Sequence, residues 1–251
     1  MACWADWGEY HDNVWGSPVT DTSTLFAQLS LCTQQCGVSW RIVWNKRHHY
    51  ANAFHDWDLA RVAAMSEDDL DRLCNKEGEW AGKLIQNRAK LHAIIHNATQ
   101  MLKIHTATPG GLPAFLWSFV EGDCESPFTT ILPGRKAPLF ISPHAINTSA
   151  GSDTEVNSVT SNYSDALTAA LKRTGSHPSK AIDFAPFKFL GSITIQAFLL
   201  QNGLLNGHSC TCVKNPRSCA PCAVIHTKRK AVAEPSTGSR AASRKRGGAA
   251  R

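Results

Sequence analysis

Side chains able to do chemistry cluster in three places in this 251-residue chain. LCTQQCGVSW, residues 31–40, carries Cys32 and Cys36 in a segment expected to be helical, followed at once by Gly37, Ser39 and Trp40. A spacing of four puts both thiols on one helix face, as ligands, nucleophiles or packing. HSCTCVKNPRSCAPC places His208 and Cys212 at a spacing that suits two ligands on one helical turn. Cys3 and His11 stand near the other end. Two Cys and two His complete a closed tetrahedral zinc site, which would tie the two ends of the fold together. Cys210, Cys212, Cys219 and Cys222, a CxC followed by a CxxC, offer a rival local site. Free thiols, with His208 at a helix end, are the third reading.

The bulk numbers bound what can hold these groups. With 43% hydrophobic and 18% charged residues, the chain can bury a real core. No long uncharged apolar run is present, so no membrane span is expected. The opening MACWADWGEYHD has neither the basic nor the apolar region of a secretory signal. Nine cysteines without a signal point to an intracellular, reducing compartment. The net charge of +6 is concentrated at one end: residues 227–251 carry +7 and the remainder −1. That tail has almost no large apolar residue and is expected to be disordered. Its clusters Lys228-Arg229-Lys230 and Arg244-Lys245-Arg246 resemble a split nuclear address, which would apply in a eukaryotic host.

The rest reads mainly as helix. Leu25, Leu29, Cys32 and Cys36 recur at helical spacing, with Thr22 or Ser23 as a cap. Leu59, Val62 and Met65 suggest another turn or two, and Ser66-Glu67-Asp68-Asp69 opens a helix through a capping box. Leu91, Ile94, Ile95, Ala98 and Leu102 form an apolar stripe. Ser164-Asp165 opens a further helix that Gly175 can close, and FKFLGSITIQAFLLQNGLL is long enough to be helical from Pro186 onward. Residues 133–163 and 176–185 read as loops or insertions. One helical domain, 1–226, followed by the tail, 227–251, is the expected organisation.

YHDNVWGSPVTDTSTLFAQLSLCTQQCGVSWRIVWNKR at 10–47 resembles the DNA-3-methyladenine glycosylase I family, as do FLWSFVEG, SDALTAALKRTG, FKFLGSITI and the GLLNGH run ending at His208. The resemblance spans roughly residues 1–212, with the motifs in the family's order. It implies an all-α helix-hairpin-helix fold and a DNA repair glycosylase. Such a monofunctional hydrolase of base excision repair releases 3-methyladenine from alkylated double-stranded DNA, without a lyase step. The family's structural zinc matches Cys3, His11, His208 and Cys212 here, which favours the four-ligand clamp. A monomer with no membrane association is expected.

The resemblance also assigns the site. Tyr10 and Trp40 fall on the family's base-pocket aromatics. Trp7 stands where the family has another tyrosine, after a shortened segment. The hairpin lies within residues 66–104, longer than the family pattern. Gly82 can take positive φ in its turn and present N–H groups to phosphate. Lys83, Arg88 and Lys90 would supply charge for contacts that position the protein without reading sequence. At 31–40 the family reads Leu-Glu-Gly-Gln-Gln-x-Gly-x-Ser-Trp. Cys32 therefore occupies the place of the base-contacting, catalytic glutamate, and Thr33 that of a glycine. A thiol is a weak acceptor, and losing a charged hydrogen bond costs about 1.5–3 kcal/mol. A catalytically weakened or inactive homologue that acts as a DNA-binding scaffold is the alternative this substitution raises.

Overall fold

Asp21, rather than Thr22 or Ser23, caps the first long helix: its carboxylate accepts from the Thr24 backbone N–H at 2.7 Å. Thr22 and Ser23 are instead its first two residues, because the shorter-range contact from Asp21 satisfies an otherwise orphaned N–H. Ser66 and Asp69 do form a reciprocal capping box, with Asp69 accepting from the Ser66 N–H at 2.8 Å. A computed structural model describes residues 8–120, 139–140, 160–173, 182–208, 212 and 214. Contacts divide the chain into two units, Met1–Ser209 and Cys210–Arg251. In the second unit Cys212 is buried and Lys214 exposed. The tail expected at 227–251, with its disorder, lies outside the described residues.

The first unit is helical. Its elements run α1 (Gly8–Asn13), α2 (Thr22–Gln34), α3 (Trp40–Asn45), α4 (Arg47–Ala53), α5 (Leu59–Ala63), α6 (Glu67–Cys74), α7 (Arg88–Ala107), α8 (Gly111–Trp117), α9 (Asn162–Leu171) and α10 (Ser192–Gln201). Among the described residues, one pair of two-residue strands, β1 (Leu139–Phe140) and β2 (Leu205–Asn206), lies parallel. None of the described helices is long and apolar enough to cross a membrane.

Two boundaries differ from the sequence expectation. α9 starts at Asn162 because Ser161 takes the cap, its hydroxyl accepting from the Ser164 N–H at 3.3 Å. The segment from Pro186 is not helical throughout: Phe189 sits at φ +54°, and the helix begins only after Gly191. Asn97 holds that non-helical stretch, donating to the Lys188 carbonyl at 3.0 Å and accepting its N–H at 2.8 Å. Residues 133–163, read from the sequence as a loop or insertion, include β1, a pairing with no signature in so short a strand.

The core is built on α2 and α7. α7 packs against α5, α6, α8 and α2, while α10 covers α9 and the other side of α2. Leu25, Leu29, Leu91, Ile94, Ala98 and Phe198 are fully buried there. A polar network threads this apolar contact. The Ile85 N–H donates to Tyr50 Oη at 3.1 Å, and Tyr50 donates to Gln34 Oε1 at 3.3 Å. Gln34 Nε2 donates to the Lys90 carbonyl at 3.1 Å. Lys90 Nζ returns the contact, donating to the carbonyls of Gln34, at 3.0 Å, and Cys36. These carbonyls end α2 and have no intrahelical donor, so the buried ammonium acts as a C-terminal cap supplied from another helix.

Lys90→Met keeps the apolar stem and removes this cap. Destabilisation of about 2 kcal/mol is expected, in the range for hydrogen bonds to a charged group. In a chain of this size that lowers a thermal midpoint by about 4–8 °C, measurable by circular dichroism. An unchanged midpoint would show that the cap contributes nothing.

Candidate active site

Tyr10 on α1 meets the first turn of α3. Its ring lies 6.2 Å from Trp40 and 4.5 Å, edge-on, from Trp44. Trp40 and Trp44 are themselves 6.0 Å apart. Ser39, at φ −67° and ψ 144°, and Gly37, at φ +74°, shape the turn that starts α3. Tyr10 and Trp40 are buried, whereas Trp44 is half-buried with the Arg47 guanidinium 4.2 Å from its ring centre. The sequence reading missed Trp44. Its signal was there: it follows Trp40 by four residues, one turn along the same face. Trp7 lies outside the described residues.

Cys32 is buried on α2, near enough to Tyr10 to act on its hydroxyl. Burial pushes its thiol up to about 12, with nearby Cys36 acting in the same direction. Burial likewise pushes the Tyr10 hydroxyl far above its ordinary value, and Cys32 adds to that shift. Both groups are therefore neutral at physiological pH. The Cys32 thiol donates to Gln201 Oε1 at 3.4 Å, and Thr33 satisfies its own hydroxyl on the Ser30 carbonyl at 2.6 Å. Cys36, partly buried, places its sulfur 3.9 Å from the Phe189 carbonyl oxygen.

The N-terminal segment is held on the turn after α10. The Gly16 N–H donates to the Gln201 carbonyl at 2.9 Å, and the Val19 N–H to that of Asn202 at 3.1 Å. Gly203, at φ +64°, lies so close that a Cβ there would stand 2.6 Å from Pro18 N. The same stitching brings His11 and His208 together, their rings edge-to-face at 5.1 Å and both buried. Asp12 bonds His11 Nδ1 at 2.8 Å, the carboxylate–imidazole arrangement that orients a metal-binding histidine. A Cβ at Gly16 would strike His208 Nε2 at 2.5 Å. Of the other two expected ligands, Cys212 is buried within the second unit and Cys3 lies outside the described residues, as do Cys210, Cys219 and Cys222.

The hairpin between α6 and α7 has the expected glycine conformation, with Gly82 at φ +69° and open space where a Cβ would stand. Lys83 is exposed beside Trp80. Arg88 is exposed and held by Glu67, at 2.8 Å, and Asp71. Lys90 corrects the sequence expectation of a phosphate contact: its ammonium is buried on the end of α2 and directed away from solvent. Lys46, which the sequence reading did not select, extends from α3 to donate to the Gly82 and Lys83 carbonyls, tying the hairpin turn to the aromatic group.

A thiol with a raised pKa is predominantly protonated, and alkylating reagents attack the thiolate. At pH 8, Cys32 is almost wholly protonated. Iodoacetamide is therefore expected to spare Cys32 in the native protein and label it after denaturation, as read by peptide mass spectrometry. The linkage has a definite sign: Cys32 contributes stability that is complete below the ordinary thiol pKa and lost as pH rises toward 12. Rapid native labelling would contradict the burial.

The profile of the family described as methyladenine glycosylase covers residues 5–133. The chain is 35% identical over 209 residues to DNA-3-methyladenine glycosylase 1 of Escherichia coli (strain K12), covering 82% of this chain and 90% of that protein. A crystal structure of 3-methyladenine DNA glycosylase I superposes with a TM-score of 0.62 at 32% identity, covering 83% of this chain and 93% of its own. A tyrosine-to-phenylalanine variant of 3-methyladenine DNA glycosylase I, solved in complex with 3-methyladenine, gives a TM-score of 0.61 at 29% identity, covering 84% and 91%. With half the chain inside the family profile and a relative this similar over most of both lengths, this protein belongs to the methyladenine glycosylase family.

Proposed function

We propose that this chain is a DNA repair glycosylase that hydrolyses the N-glycosidic bond of 3-methyladenine in alkylated double-stranded DNA. The observation that carries the reading is the Tyr10, Trp40 and Trp44 group, with a neutral, buried Cys32 near Tyr10, in a chain whose relatives are named 3-methyladenine glycosylases. A base in duplex DNA must leave the stack to be reached. While still attached to the sugar, 3-methyladenine is cationic, and electron-rich ring faces attract a cation most strongly where water is excluded. As the bond from sugar C1′ to the base breaks, its electron pair moves onto the base and cancels that charge. Water then adds to C1′ and gives up a proton. The leaving group is already activated, so this chemistry needs no ionised group at residue 32. The retained aromatic group and the enzyme relatives favour catalysis over a DNA-binding scaffold.

The remaining roles follow from the same reading. Residues 66–104 act as the helix-hairpin-helix, with Gly82 and Lys83 facing the DNA backbone and Arg88 able to exchange its exposed carboxylate partners for phosphate. The basic tail adds sequence-independent attraction, which weakens as salt rises. We read the protein as a monomer of a reducing compartment, and of the nucleus in a eukaryotic host.

His11 and His208, with Cys3 and Cys212, are the proposed ligands of a structural zinc ion. The fit rests on the adjoining buried imidazoles, the Asp12 contact to His11, and a glycine at 16 where any side chain would crowd His208. Bound there, the metal would cross-link the chain ends and take no part in base release, because a closed site keeps no open position.

Purified protein incubated with methylated DNA is expected to release 3-methyladenine, detected by chromatography, and Trp40→Ala to reduce release at least a hundredfold. Release that is absent in the wild type would defeat the enzyme reading. For the zinc reading, elemental analysis should find one zinc per chain, and His208→Ala should lose both the metal and several degrees of thermal stability. A metal-free protein of equal stability would remove the clamp from the account.

A further inference from the structure

Among the described residues, five that are not glycine take positive φ: His55, Asp56, Trp57, Arg173 and Phe189. Such a backbone is strained for a bulky side chain and persists only where its surroundings hold it. At Trp57 packing offsets the strain: the indole is buried, edge-on to Phe26 at 5.6 Å and stacked on Phe54 at 5.8 Å. Arg173 sets its guanidinium 4.8 Å from the Phe184 ring centre and donates to the Ile182 carbonyl at 2.7 Å. Phe189 differs. At φ +54° it is 40% exposed, so the strain holds a large apolar ring at the surface.

Three side chains of α7 fix this segment. His96 Nε2 donates to the Pro186 carbonyl at 2.9 Å, and Asn97 bonds the Lys188 main chain at both its N–H and its carbonyl. His92 Nδ1 lies 3.3 Å from Lys188 Nζ. Burial and the Lys188 charge hold His92 below its ordinary value, so the imidazole accepts from the ammonium. Lys188 is exposed and keeps two further N–H donors. Two proposed DNA contacts flank the segment. His92 stands one turn along α7 from Arg88. On the other side, the Phe189 carbonyl oxygen is 3.9 Å from Cys36 Sγ, four residues before Trp40. Four residues span at most about 14 Å, roughly four base steps of a duplex. A duplex whose extruded base reaches Trp40 therefore passes this segment.

Extruding a base opens a gap in the stack and bares the ring faces beside it. Those faces are apolar, and phenylalanine is among the side chains that enter such steps. Resting on the glycosylase reading, we propose that Lys188 and Phe189 form a second DNA contact, separate from the hairpin: Lys188 binds a phosphate, and Phe189 stacks on a base left bare by the extruded one. Asn97 and His96 are its positioning residues, because they hold the main chain that presents the ring.

The test is fluorescence anisotropy of the full chain with a labelled duplex that carries one abasic-site analogue. Phe189→Ala should weaken binding about tenfold, the worth of one base–aromatic stack. Its salt dependence should match the wild type, because an apolar contact releases no counterion. Phe189→Tyr should keep the affinity. Lys188→Gln should lower the slope of log affinity against log salt by about one. Phe189→Asn, which tolerates positive φ, provides the same comparison if the alanine variant fails to fold. Wild-type affinity in the alanine or asparagine variant, a loss that Phe189→Tyr shares, or an unchanged slope in Lys188→Gln overturns the assignment. So does a wild-type dimer that Phe189→Ala converts to monomer, which would give the exposed ring to a second copy of the chain. If the wild type still releases 3-methyladenine from methylated DNA, that failure concerns Lys188 and Phe189 alone. A protein that neither binds the duplex nor releases the base overturns the glycosylase reading together with this one.

Discussion

The attachment of residues 14–19 to the turn at 201–203 is the constraint on which the site depends. Backbone bonds from Gly16 and Val19 to the carbonyls of Gln201 and Asn202 leave no room for a side chain at Gly203. Such close backbone contact requires glycine at positive φ. Trp117 Nε1 adds a bond to the Val19 carbonyl at 3.0 Å from α8. Once this seam forms, Tyr10 lies over Trp44, His11 meets His208, and Gln201 reaches Cys32. A chain that lost the seam would lose the aromatic group and the imidazole pair together.

A second polar connection fixes the other side of α2. The Tyr50–Gln34–Lys90 network joins the segment entering α7 to the end of the helix that carries Cys32. Buried polar groups are costly unless each is bonded, and here both ends of the Gln34 side chain have partners. The hairpin expected to touch the DNA backbone is thereby linked to that helix. Lys46 makes a parallel link from α3 to the hairpin turn.

The electrostatics of the pocket are those of a neutral lining. Cys32 and Tyr10 are both driven toward their protonated forms by burial. In the proposed reaction, attraction for a cationic base would rest on ring faces rather than on a counter-charge. Such a pocket avoids the desolvation cost of an isolated buried carboxylate.

Local signals were legible in the sequence. Capping at Ser66, the stripe of α7 and the positive φ of Gly82 all follow from neighbours within a few residues. The motifs of residues 10–47 were specific enough to indicate the family and to locate Tyr10, Trp40 and the substituted Cys32. Trp44 was readable from its spacing alone. What the sequence could not decide was which polar side chains meet across helices. Lys90 looked like a surface cation, and only the packing of α7 on α2 turned it into a buried cap. Gln201 carried no motif at all; its amide meets Cys32 because the seam delivers the end of α10 to that residue, 169 residues away in the chain. Helix formation is governed by local capping and periodicity, whereas the partner of a buried donor is set by whichever distant element shares its volume.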